Sequence, residues 1–256
     1  FAVVRVSKRD KRHLPPSEFI WIPIAILHGI VGAAILILFQ LGVIPVWFGD
    51  IGEDMATQGF VLAIVAGVGG FMAPRLMGLY ELPKHSEACA PEQFIQAKKR
   101  RAWIHLILGV LLFLSFWLET EIIEHLSHGL RALVVTSVFF FTRSLPRPPR
   151  SRAFFSQLIW VSLWMILIGL WLTAFFPAYE KATLHFTFLG GFSLMTFAVA
   201  AMVVLSHAGE ADRLQRPLFI LRLVAFGMAV VLSVRIAAVF VPVLFLGRHS
   251  LIIYML

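Results

Sequence analysis

The stretch LHFTFLGGFSLMTFAVAAMVVLSHAGE, residues 184–210, decides the architecture. No side chain from Leu184 to Ser206 carries a fixed charge, and the run is long enough to cross a hydrocarbon core of about 30 Å as one helix. His185 and His207 stand at its two ends, 22 residues apart, which at helical rise is roughly 33 Å. Imidazoles separated by a bilayer's thickness cannot share one metal ion. Gly190-Gly191 removes side-chain bulk one to two turns from His185, so a neighbouring helix or a flat macrocycle can approach there.

The rest of the chain has the same character. Of 256 residues, 59% are hydrophobic and 14% charged, with a mean hydropathy of +0.87. Soluble domains carry about 25% charged residues, so this composition specifies an integral membrane protein. The single cysteine, Cys89, excludes an internal disulfide framework and any Cys-based zinc or iron–sulfur site. The chain begins at Phe1 without an initiator Met and stops at Leu256 inside an apolar run, so it reads as a portion of something longer.

Hydropathy divides the chain into a basic arm, 1–18, and one transmembrane domain, 19–256. Within that domain the expected spans are 19–42, 58–78, 102–118, 122–142, 153–176, 184–206 and 217–240. A partial eighth begins after Pro242. Residues 43–57 read as a loop, as does the Pro-rich RSLPRPPRSR at 143–152. The connection 79–101 ends in the basic run Lys98–Arg101 and has room for a short amphipathic helix from Pro91. The fold class is therefore an all-α polytopic bundle with seven full spans.

Charge sets the expected orientation. The arm and the connections 75–101, 143–152 and 207–216 together hold 17 Lys/Arg, whereas the alternate connections hold Lys181 alone. The positive-inside rule then places the N-terminus in the cytoplasm and the acidic turns outside. The basic segments contain few aromatics and adjoin spans, so their partner is anionic lipid and not nucleic acid.

This topology sorts the histidines by depth. His125, His128 and His185 lie near the outer face and form a candidate metal set. His125 and His128, at i and i+3, share a helix face; Arg131 continues that side, and Arg235 from the seventh span could join them. Imidazoles at one depth suit copper, or the axial positions of a b-type haem, with arginines pairing to its propionates. The alternative is that His125 and His128 are interfacial residues beside Glu121 and Glu124. A second group, His28, His105 and His207, lies toward the cytoplasmic side and could hold a second cofactor; for His207 the alternative is a helix-end contact with terminal carbonyls. Other chemistries lack support. AGVGG at 66–70 has no preceding strand and no following lysine, HExxH is absent, and the span interiors hold no Asp or Glu of the kind that couples protons in transporters. No residue is singled out as catalytic.

A membrane helix that opens with His185, carries Gly190-Gly191 and Met195-Thr196, and ends Ser206-His207-Ala208-Gly209 resembles the later helices of the NnrS family. The resemblance is good over about 184–214 and weaker over 58–78. It departs at Met202, where an arginine is expected, at Glu210, and at Thr57-Gln58-Gly59, where the family has a histidine-rich helix opening. It implies a polytopic protein of the bacterial inner membrane that binds haem and/or copper and is linked to nitric oxide metabolism or electron transfer. It adds weight to His185 and His207 as ligands. Two other classes stay open on the sequence: a cofactor-free accessory subunit partnered with other subunits of a membrane complex, and a transporter, for which only Arg131, Arg222 and Arg235 speak.

Overall fold

The computed structural model describes residues 16–79, 92–118, 124–142, 145, 147–210, 213–214 and 218–240. All the regular structure among them is helical. We number the helices α1 (Trp21–Gln40, entered through a 3-10 turn at Ser17–Ile20), α2 (Trp47–Leu76), α3 (Glu92–Trp117), α4 (Glu124–Phe141), α5 (Phe154–Phe175), α6 (Pro177–His207) and α7 (Phe219–Phe240). Six of them, all but α4, are long and apolar enough to cross a membrane. Helix α4 falls short because its first half carries Glu124, His125, His128 and Arg131. Residues 1–15 of the expected basic arm and the partial eighth span lie outside the described residues, and residues 17 and 18 of the arm belong to the turn that enters α1.

Three boundaries differ from the sequence reading, the starts of α2, α3 and α6; α6 begins at Pro177, seven residues before the expected start at Leu184. Residues 43–57 are largely helical, not a loop: α2 starts at Trp47, and Asp50, Glu53 and Asp54 occupy its first two turns. Acidic residues are favourable at a helix N-terminus, where the macrodipole is positive, so their presence does not end a helix. The turn before α2 shrinks to a few residues around Gly42, which adopts φ +69°. Likewise, the basic run Lys98–Arg101 is not part of a connection but lies on the early turns of α3.

The distribution of side chains is inverted relative to a soluble protein. Ile26, Leu27, Ile30 and Ile37 of α1, and Phe219, Ile220, Leu223 and Phe226 of α7, are exposed, while His28, Gln58, His105, Ser115, Ser127, His128 and Arg131 are buried. In lipid this is the stable arrangement, since an outward polar group would find no hydrogen-bond partner. Helix α4 packs between α3 and α5, α1 pairs with α2, and α5 lies along α6; α7 leans on α6 alone among its larger contacts.

Small residues let these helices approach. A Cβ on Gly32 would stand 2.5 Å from the backbone nitrogen of Ala56 and 2.7 Å from the carbonyl of Gly52, so α1 and α2 touch backbone to backbone. Gly190 and Gly191 do the same for α6, and the body filling the space beside them is α5, through Met165 and Ile166. Three segments, Met55–Gly59, Val65–Gly69 and Phe186–Ser193, are π-helical. Each widens the helix locally, and Gln58, in the first of them, is buried inside the bundle.

Replacing Gly32 by Val is expected to destabilise the protein by about 1–3 kcal/mol through forced separation of α1 and α2. Gly129→Ala, where nothing lies within 4 Å, is expected to be tolerated. Unfolding in mixed micelles measures both.

Candidate functional site

Helices α2, α4 and α6 all begin at the same end of the bundle, and their first turns are acidic: Asp50 in α2, Glu124 in α4, Glu180 in α6. Just inside this rim sits Arg131, 1% exposed. Its guanidinium donates to Ser127 Oγ (3.2 Å) one turn back, and reaches Gln58 Oε1 and His128 Nδ1, each at 3.4 Å. It also lies over the Phe116 ring at 3.9 Å. A buried cation is costly unless several groups replace water, and here α2, α3 and α4 supply them together.

Gln58 carries the network outward. Its Nε2 donates to Asp54 Oδ1 (2.9 Å) and to Glu180 Oε1 (3.2 Å), the latter across 122 residues of chain. One amide therefore accepts from Arg131 and donates to two carboxylates, tying α2 to α4 and α6. His128 Nε2 lies 3.8 Å from Glu124 Oε1. Glu124, His128 and Glu180 each offer a ligand atom, and these atoms lie within 4.8 Å of one another.

Hydrogen bonds sort the histidines by tautomer. A carbonyl can only accept, so His28, bonded to Ile24 O at 2.8 Å, carries its proton on Nδ1. The same holds for His125 (Ala174 O, 3.0 Å), His207 (Val203 O, 2.8 Å) and His185 (Lys181 O). In all four Nε2 is the nitrogen not engaged by the carbonyl, and an Nδ1–H bond to a carbonyl is the usual support of a metal-binding imidazole. His105 differs: Trp21 Nε1 donates to its Nδ1 at 3.1 Å, which leaves the proton on Nε2. His128 is like His105, because arginine can only donate to its Nδ1.

Among the expected site residues, the structure joins His128 to Arg131. It does not gather His125 and His185 with them in the metal-capable group, whose other members are Glu124 and Glu180. His125 is exposed and directed at the end of α5; His185 is half-buried on α6; His207 is exposed at the opposite end of α6. Arg235 is half-buried on α7, which packs against the Glu180–His185 turn. His28 and His105 are fully enclosed but engage different neighbours, Phe113 and Phe116 for one and Trp21 for the other. Sequence reasoning passed over Glu180 and the role of Gln58. The signal for Glu180 was an acid in the first turn after Pro177, at the same end as Glu124.

The match to a family model described as NnrS protein extends over residues 2–256, essentially the whole chain. The chain belongs to the NnrS family. The likeness thus reaches well beyond the α6 motif that first carried it. No curated protein and no solved structure matches the chain. For this NnrS protein the buried Arg131–Gln58–Glu180 chain is the best-connected polar feature of the described residues.

Gln58→Leu leaves Arg131 and two carboxylates without their shared amide, and is expected to cost about 1–3 kcal/mol. Gln58→Asn, which keeps the amide on a shorter stem, is expected to recover part of that. Thermal unfolding in detergent reads both.

Proposed function

We propose that this NnrS protein is a multi-pass protein of the bacterial inner membrane, N-terminus cytoplasmic, that binds haem and/or copper and serves nitric oxide metabolism or electron transfer. On this reading α4 is also a span, so that the acidic ends of α2, α4 and α6 face outward and the basic segments face the cytosol, in keeping with the Lys/Arg asymmetry.

The observation that carries the cofactor reading is His28. It is 0% exposed, its Nδ1–H is spent on Ile24 O, and its Nε2 has no hydrogen-bond partner. A buried acceptor left unmade costs about 1–3 kcal/mol, and ligation to a metal would recover it. The ring is held edge-on by Phe113 and Phe116, with centroids 5.2 and 5.6 Å away, which fixes its direction. The donor chemistry would suit haem iron or copper, with His28 Nε2 as the atom that would hold it. His125, His185 and His207 present the same tautomer, and Arg131 and His28 both contact the Phe116 ring. When bound, haem or copper would supply one-electron redox chemistry and a site for a diatomic ligand. The chain's own residues hold the imidazole tautomer, exclude water around it and place a fixed positive charge near it. The link to nitric oxide rests on family membership.

Purified protein is expected to show a Soret band, stoichiometric copper or both, and His28→Ala is expected to lose that signal while His105→Ala keeps it. A colourless, copper-free protein that co-purifies with other membrane subunits would instead support the accessory-subunit reading.

A further inference from the structure

We infer that Glu124, His128 and Glu180 form a second metal site, one for a divalent first-row cation such as Zn(II), Fe(II) or Mn(II), distinct in chemistry from haem or cuprous copper. The three ligand atoms lie within 4.8 Å of one another, a spread that a single ion at bonds of about 2.0–2.2 Å can span with a small adjustment of the two flexible Glu side chains. Two carboxylates and one imidazole are a hard-to-borderline donor set. Cuprous copper prefers soft sulfur donors, whereas carboxylates and imidazole together suit Mn(II), Fe(II) and Zn(II). Three protein ligands also leave coordination positions open to water or a small molecule.

Supports already surround the ligands. Gln58 Nε2 donates to Glu180 at 3.2 Å and so fixes that carboxylate; Asp54, on the same amide, adds a nearby negative charge. His128 is 2% exposed, while the Glu124 side chain is 41% exposed, giving an enclosed base and an open entrance on the acidic end of the bundle. Arg131 sits on the Nδ1 side of the His128 ring, away from Nε2.

Ion capture implies one definite rearrangement. With Arg131 donating to Nδ1, His128 carries its proton on Nε2. Coordination through Nε2 requires that proton to move to Nδ1, leaving the neutral ring and its proton count unchanged. Nδ1–H and the Arg131 N–H are then both donors, so the two groups must part; Arg131 keeps Gln58 Oε1 and Ser127 Oγ, and the imidazole turns its Nδ1–H away from the guanidinium. The site therefore couples metal occupancy to the hydrogen bond between α2 and α4.

The test uses the full chain purified in detergent, with haem and copper contents recorded, then stripped with a chelator and titrated with Zn(II) by calorimetry. One equivalent is expected to bind, with affinity reduced at least tenfold in Glu180→Gln and in Glu124→Gln and with haem and copper unchanged. Zn(II) is also expected to raise the melting temperature of the unaltered protein but not of Glu124→Gln, a variant at a half-exposed position that leaves the buried network in place. Absence of stoichiometric Zn(II) binding, or equal affinity in both variants and the unaltered chain, overturns the site. A missing Soret band and missing copper would bear on the cofactor reading alone.

Discussion

A guanidinium enclosed in an apolar bundle is the constraint around which this structure is built. Arg131 is inside, and it stays there because Ser127, Gln58, His128 and the Phe116 face replace the water it has lost. Those groups come from three helices, so the charge can be accommodated only when α2, α3 and α4 are docked. If α4 is the further span proposed above, it would have to carry glutamate, two histidines and arginine into lipid unaided before assembly, which is unfavourable. Assembly of the bundle and solvation of Arg131 are thus the same event.

The irregular backbone follows from that requirement. Gln58 belongs to a π-helical segment, Met55–Gly59, and the next residue, Gly59, lies against the His28 ring and Phe116. A side chain at 59 would collide with His28. One wide turn therefore serves both polar features of the interior, the Arg131 network and the buried imidazole. Lipid outside permits this, because apolar residues such as Ile26 and Phe226 can face outward without penalty. The acidic rim at the starts of α2, α4 and α6 is favourable in turn, since three helix N-termini converge there.

Much of this was legible from residues alone. Hydropathy gave the helical class and most helix boundaries, because a 20-residue apolar run has few alternatives in lipid. It misplaced the starts of α2, α3 and α6, where Asp50, Glu53 and Asp54, Lys98–Arg101, and Glu180 and Lys181 look like connections but lie on the helices' early turns. Arg131 and His128 stood out because charged and imidazole side chains beside an apolar run are costly to bury. Glu180 did not, since its importance lies in a contact with Gln58 across 122 residues, and periodicity carries no information about which helix ends meet. The pairing of His128 with carboxylates and not with His125 or His185 was hidden for the same reason.

The contact between α2 and α6 is the point where this account is most exposed. Cysteines placed at 58 and 180 in a Cys89→Ser background, with 57 and 180 as the control pair, report it directly in native membranes. Thr57 is exposed while Gln58 is buried, so efficient intramolecular cross-linking of 58 to 180 and little of 57 to 180 is the predicted result. Equal cross-linking of the two pairs, or none of 58 to 180, would mean that Gln58 does not bridge these helices and that Arg131 is held in some other way.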